Sequence, residues 1–108
     1  MDTTRMRTWA EIDLTALEHN YRTLRAMLPR ECRFLGLCKA NAYGHGAAVI
    51  GHTLERLGAD MLAVACVSEA EELRQSGVKL PILCLGETPE ELIPQLAALM
   101  QKNGTLAR

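Results

Sequence analysis

At 108 residues, with a formal net charge of −1 and no basic run, the chain has no electrostatic footprint for nucleic acid or for an anionic membrane surface. The length allows one domain at most, or part of one. Hydrophobic residues make up 48% and aromatics only 4%, so the core must be aliphatic, and no apolar run is long enough to span a bilayer. The polar start, Met1 to Arg5, predicts no secretory signal. The four cysteines lack CxxC spacing and read as small hydrophobes of a reducing cytoplasm, not as disulfides or metal ligands.

In chain order, Thr8 to Leu14 alternates in part and reads as a first strand. Thr15 with Glu18 makes a capping box, and Leu17, Tyr21, Leu24 and Leu28 share one face of the helix behind it, which Pro29 ends. Phe34 to Cys38 is a short apolar strand. Ala47 to Leu57 reads as a helix with Ile50, Leu54 and Leu57 inward and Gly58 as its C-cap. Met61 to Val67 is almost continuously apolar, as expected of a parallel strand buried on both faces. Ser68 with Glu71 makes a second capping box, for a helix reaching Ser76 with Gly77 after it. Ile82 to Leu85 is a further strand, and Thr88, Pro89 and Glu91 supply a third helix start. Leu92, Leu96 and Leu99 carry the face of that helix, and Pro94 should kink or restart it. Residues 15–100 therefore predict α/β structure, βα units about a parallel sheet, followed by a turn-like tail at 101–108.

Chemistry concentrates in the loop after the Phe34 strand. Lys39 stands at the end of a wholly apolar run, where a dry surround would lower its pKa and free its amine for a Schiff base with an aldehyde cofactor. A lysine that simply reaches into solvent is the competing reading. Tyr43 either offers its hydroxyl to a phosphate or a developing charge, or packs at a strand–helix corner. Gly44 and Gly46 flank His45 and make either a small anion nest or an ordinary turn. His45 is better read as fixing the loop by hydrogen bonding than as a ligand or proton carrier. His19 and His52 read as surface or structural residues. Glu11, Asp13 and Glu69 sit at element ends, where capping and salt bridges are their expected roles.

Four stretches carry a resemblance: Trp9-Ala10-Glu11-Ile12-Asp13-Leu14, Leu37-Cys38-Lys39-Ala40-Asn41-Ala42-Tyr43-Gly44-His45-Gly46, the run from Gly58 to Ala65, and Pro81-Ile82-Leu83-Cys84-Leu85-Gly86. Together, in register from about Thr8 to Leu99, the chain resembles the N-terminal part of bacterial alanine racemases, about their first third. The resemblance implies a pyridoxal 5'-phosphate-binding (β/α)8 barrel followed by a C-terminal β domain, to which the 8–14 strand would belong. It implies that Lys39 holds the cofactor as an internal aldimine and acts as one of two bases, and that Tyr43 contacts the cofactor phosphate. It further implies a cytoplasmic homodimer that interconverts L- and D-alanine and supplies D-alanine to peptidoglycan. Serine and broad-specificity racemases share the lysine loop. The second base, a tyrosine of the partner subunit, and the arginine facing the pyridine nitrogen match no position here. The isolated 108 residues are thus expected to racemise poorly, and to leave sheet edges and apolar faces open. A non-catalytic cofactor-binding module and an inert truncated product are the alternatives.

Overall fold

A computed structural model describes residue 8 and residues 10–101. Three short parallel strands lie in the order β1 (Leu35–Leu37), β2 (Met61–Val64), β3 (Ile82–Cys84), with Leu35 opposite Met61 and Leu62 opposite Ile82. Between and around them run α1 (Leu14–Ala26), a five-residue segment α2 (Lys39–Tyr43), α3 (Ala47–Leu57), α4 (Val67–Gln75) and α5 (Ile93–Met100). This is the βα alternation read from residues 15–100. No helix among the described residues is long and apolar enough to cross a membrane.

Helices cover one face of the sheet. Gly36 marks that face: a Cβ built on it would stand 2.4 Å from Leu54 Cδ1 of α3, in the space that the buried Leu54 side chain fills. Leu62, Leu73, Ile82, Val64, Val78 and Cys38 are fully buried beneath the helices, an aliphatic core as the composition required. Successive residues of a strand face opposite ways, so Leu35 and Leu37 point to the other side. They are 40% and 37% exposed, and Leu85, just past β3, is 55% exposed. Among the described residues this second face is the more open one, although Ala63 in the central strand is fully buried on it.

Two contacts fasten the first helix to this layer. Tyr21 packs edge-on against Phe34 with ring centroids 4.8 Å apart. The Asp60 carboxylate accepts from the Phe34 backbone N–H at 2.6 Å and from Arg25 Nη2 at 3.0 Å, which ties α1 to the starts of β1 and β2. At the far end, Arg74 donates to the carbonyls of Val78 and Leu99 at 2.8 Å, and to that of Gln101, holding the last turn of α5.

Several boundaries differ from the sequence reading. Residues 10–13 form no strand, and among the described residues none pairs with them to supply a ladder; Trp9 falls outside the described residues. Asp13, not Thr15, caps α1, accepting from Thr15 N–H at 2.9 Å and Ala16 N–H at 3.2 Å. A side-chain acceptor two residues earlier simply starts the helix earlier. On α1 only Tyr21 is buried, Leu24 stays exposed, and Leu28, expected on the same face, is exposed beyond the end of the helix at Ala26. The β2 strand stops at Val64, because Val67 already belongs to α4. Neither Ser68 nor Thr88 caps a helix: Cys66 and Pro89 occupy the cap positions, and neither makes a capping side-chain hydrogen bond. Pro94 acts as expected. A single 3₁₀ turn (Glu90–Leu92) precedes it and α5 restarts at Ile93, placing the proline in the first turn, where no N–H is needed. The described part of the 101–108 tail is Gln101 alone.

Candidate active site

The loop after β1 opens at the carboxyl edge of the sheet, where β/α enzymes assemble their sites. Cys38 extends the ladder by one bond, its N–H donating to Ala63 O at 2.8 Å. Its side chain is completely buried, and burial pushes the thiol up to about 11. Cys38 is therefore a neutral packing group at neutral pH. The neighbouring Lys39 is only half-buried. All four cysteines are free thiols; Cys66 is exposed at the head of α4, while Cys32 and Cys84 are half-buried, so full burial holds for Cys38 alone.

Beyond Lys39 the backbone turns the unusual way. Ala40, Asn41 and Ala42 have φ/ψ of 52/45, 57/41 and 55/45, and Tyr43 has φ 56, so α2 is a turn of left-handed helix rather than the plain loop its glycines suggested. Each such residue with a Cβ costs roughly 1–2 kcal/mol, or about 4–8 kcal/mol over four. Asn41 tolerates the region best, and Gly44 closes the turn at φ 89 without penalty. Such strain persists only where surrounding bonds over-determine it. Within the turn, Gly44 N–H donates to Ala40 O and Asn41 O, and Gly46 N–H to Asn41 O at 2.9 Å. Asn41 Oδ1 accepts from Ala47 N–H at 2.8 Å, which joins the turn to the head of α3. His45 Nδ1 lies 2.8 Å from Ala42 O, the loop-fixing role read from sequence.

The turn carries Lys39 and Tyr43 together. Lys39 Nζ stands 5.8 Å from the centroid of the Tyr43 ring, within range of a cation–π contact worth about 0.5–1 kcal/mol at an exposed site. Tyr43 is 61% exposed, so it is not the packed corner aromatic that was its competing reading. Lys39 is half-buried, and two residues of the apolar run before it, Leu35 and Leu37, are themselves partly exposed, so the dry surround expected from that run is incomplete. The remaining candidates lie apart. His19 is exposed on α1, and His52 Nε2 meets Ser76 O at 2.6 Å, joining α3 to the end of α4.

One residue has a larger part than its sequence position suggested. Glu69, in the first turn of α4, accepts from Ala40 N–H through Oε2 and from Ala65 N–H through Oε1, both at 2.7 Å. Its carboxylate bridges the loops that follow β1 and β2. A glutamate at the third helical position signals a reach back toward the helix start. The bond to Ala40 spans 29 residues and has no local signature.

A half-buried primary amine and an outward-facing phenol at the strand mouth are a donor set suited to an aldehyde cofactor with an anionic group. The parallel βα units, covered on one face and carrying this lysine turn at their carboxyl edge, define the class: the opening part of a (β/α)8 barrel. The family model described as "Alanine racemase, N-terminal domain" matches residues 12–103, and the chain belongs to that family. It is 45% identical over 95 residues to the alanine racemase of Desulfovibrio desulfuricans, covering 88% of this chain and 24% of the relative. It superposes on the alanine racemase of Clostridium difficile 630 with a TM-score of 0.85 at 41% identity, over 91% of this chain and 26% of that one. The alanine racemase of Bacillus anthracis with bound L-Ala-P gives a TM-score of 0.81 at 36% identity, over 85% and 24%. The chain thus spans about a quarter of the length of these relatives, somewhat less than the third expected from sequence.

Proposed function

We propose that these residues form the lysine-bearing corner of a pyridoxal 5'-phosphate-dependent alanine racemase. The observation that carries the reading is a half-buried Lys39 on a turn bonded by Glu69 and Asn41 at the carboxyl edge of the sheet, its amine 5.8 Å from the Tyr43 ring. Lys39 Nζ would hold the cofactor through its aldehyde carbon, and the Tyr43 hydroxyl would donate to a phosphate oxygen. When bound, the cofactor supplies an electron sink that makes the substrate Cα–H acidic. Lys39, its amine released from the aldehyde carbon as the substrate amine takes its place, would move the proton on one face of Cα, the face that the family resemblance assigns to D-alanine. Inversion needs a second base on the opposite face, and the tyrosine that the family resemblance assigns to that role matches none of these 108 residues. A general acid or base typically contributes about 10²–10⁴-fold, so the segment alone should bind the cofactor and racemise slowly. In this reading the complete enzyme is a cytoplasmic homodimer that makes D-alanine for peptidoglycan.

The chain holds three lysines, Lys39, Lys79 and Lys102, which makes the test direct. Borohydride reduction in the presence of the cofactor, followed by peptide mass analysis, should mark Lys39 well ahead of the other two. Even labelling of all three would overturn the assignment, as would a full-length Lys39→Ala enzyme that still racemises alanine. A marked Lys39 in a full-length protein without racemisation would leave a cofactor-binding module.

A further inference from the structure

We propose that Glu69 is a positioning residue for Lys39: its carboxylate, shared between the amides of Ala40 and Ala65, holds the left-handed turn against the end of β2 and so fixes where the lysine amine stands. The inference deepens the cofactor reading of Lys39 and rests on it. Three observations carry it.

The first is where the bonds fall. Ala40 is the residue immediately after Lys39 and the first in the left-handed region, so the Glu69 Oε2 bond at 2.7 Å acts at the point where the backbone leaves its ordinary conformation. The second is what the other oxygen holds. Ala65 follows the last residue of β2, and its carbonyl accepts from Gly86 N–H at 3.0 Å beyond β3. One carboxylate therefore ties the lysine turn to the edge where all three strands end. The third is the division of labour within the turn. Asn41 joins it to α3 and His45 bonds inside it, but both lie after Lys39 and both are local in sequence. The Ala40–Glu69 bond is the long-range one, crossing from the first βα unit to the second. An ionised carboxylate is also the strongest acceptor a side chain can offer two amides at once.

The chemistry predicts a graded series. In Glu69→Gln one oxygen remains an acceptor, but the amide nitrogen meets an N–H donor with another donor, so one bond is lost. Glu69→Asp is a methylene shorter and reaches one amide only. Glu69→Ala reaches neither. The full chain and these variants would be compared, with Glu72→Gln, an exposed carboxylate of the same helix, as the control. Amide hydrogen exchange should accelerate about ten-fold at Ala40 or Ala65 in Glu69→Gln, and at both in Glu69→Ala. The backbone chemical shifts of residues 40–43 should move away from left-handed values. Cofactor trapping at Lys39 should slow relative to trapping at Lys79, while far-UV circular dichroism and Glu72→Gln stay unchanged.

Unaltered exchange and shifts at residues 40–43 would overturn the proposal. So would altered shifts with trapping at Lys39 undiminished. Unfolding of every Glu69 variant would also overturn it, by assigning the residue to the fold as a whole. If Lys39 in the unsubstituted chain is not trapped at all, the cofactor reading fails, and with it the part of the inference built on it. The exchange data would still decide whether Glu69 holds the turn.

Discussion

Two adjoining segments of this chain are stabilised in opposite ways. Helix α3, residues 47–57, is an ordinary amphipathic helix. Ile50, Gly51, Thr53 and Leu54 are buried, and its C-cap Gly58 adopts φ 100 and donates to Leu54 O and Glu55 O. Its local preferences and its packing agree. The turn from Lys39 to Gly46, directly before it, has a backbone that its alanines and tyrosine disfavour, and it is kept by bonds from Glu69, Asn41 and His45. The helix is held by what it buries, and the turn by what grips it. A site residue carried on the turn inherits a position that its own sequence would not choose.

The contrast can be broken or sharpened by substitution. The largest effect should come from the side that relies on burial. Leu73 is fully buried and its Cδ2 lies against Gly51 of α3, so Leu73→Ala should cost about 2–5 kcal/mol in denaturant unfolding. Asn41→Ala attacks the joint between the two segments. It removes the acceptor for Ala47 N–H and puts a less tolerant residue at φ 57, and should cost about 1–2 kcal/mol by the same measurement. Ala40→Gly should go the other way. Glycine removes the left-handed penalty and gives part of it back as chain entropy, for a net gain of up to about 1 kcal/mol. A clear loss on Ala40→Gly would mean that the turn is not strained.

The smallest effect concerns the opposite end of β1. The hydrogen bond from Phe34 N–H, aided by Arg25, holds the Asp60 carboxyl below its usual value. A folded pKa below the unfolded one adds stability that is complete above the unfolded value. That stability is lost as pH falls through the folded one. Urea midpoints of the chain should therefore drop between neutral pH and about pH 3 by slightly more than those of Asp60→Asn.

The sequence made the second kind of structure hard to see. Helix α3 was legible to the residue, because its 3.6-residue spacing and the trailing glycine both report locally. The β1 and β3 strands were legible to within a residue at either end. The strand reading of 8–14 found no ladder partner in the described structure, and a ladder cannot be deduced from one strand's alternation. The start of α1 slipped because Thr15 and Asp13 are both good caps, and only geometry chooses between them. Of the candidate site, the strand-end position of Lys39 and the loop-fixing bond of His45 could be read from residue type and place, whereas the role proposed for Tyr43 rests on the family resemblance. The left-handed turn could not, since Ala40 and Ala42 carry no preference for it. Nor could the reach of Glu69, whose partner at Ala40 becomes a neighbour only after β1 and β2 have paired.

The more open side of the sheet has a practical consequence for work with this segment. Dyes that brighten on apolar surface are commonly used to diagnose loosely packed, partly folded states. Here Leu35, Leu37 and Leu85 offer such a surface while the opposite side is fully packed. Strong dye emission from the isolated chain is therefore expected of its native sheet, and side-chain NMR dispersion, not fluorescence, is the measure of whether it is folded.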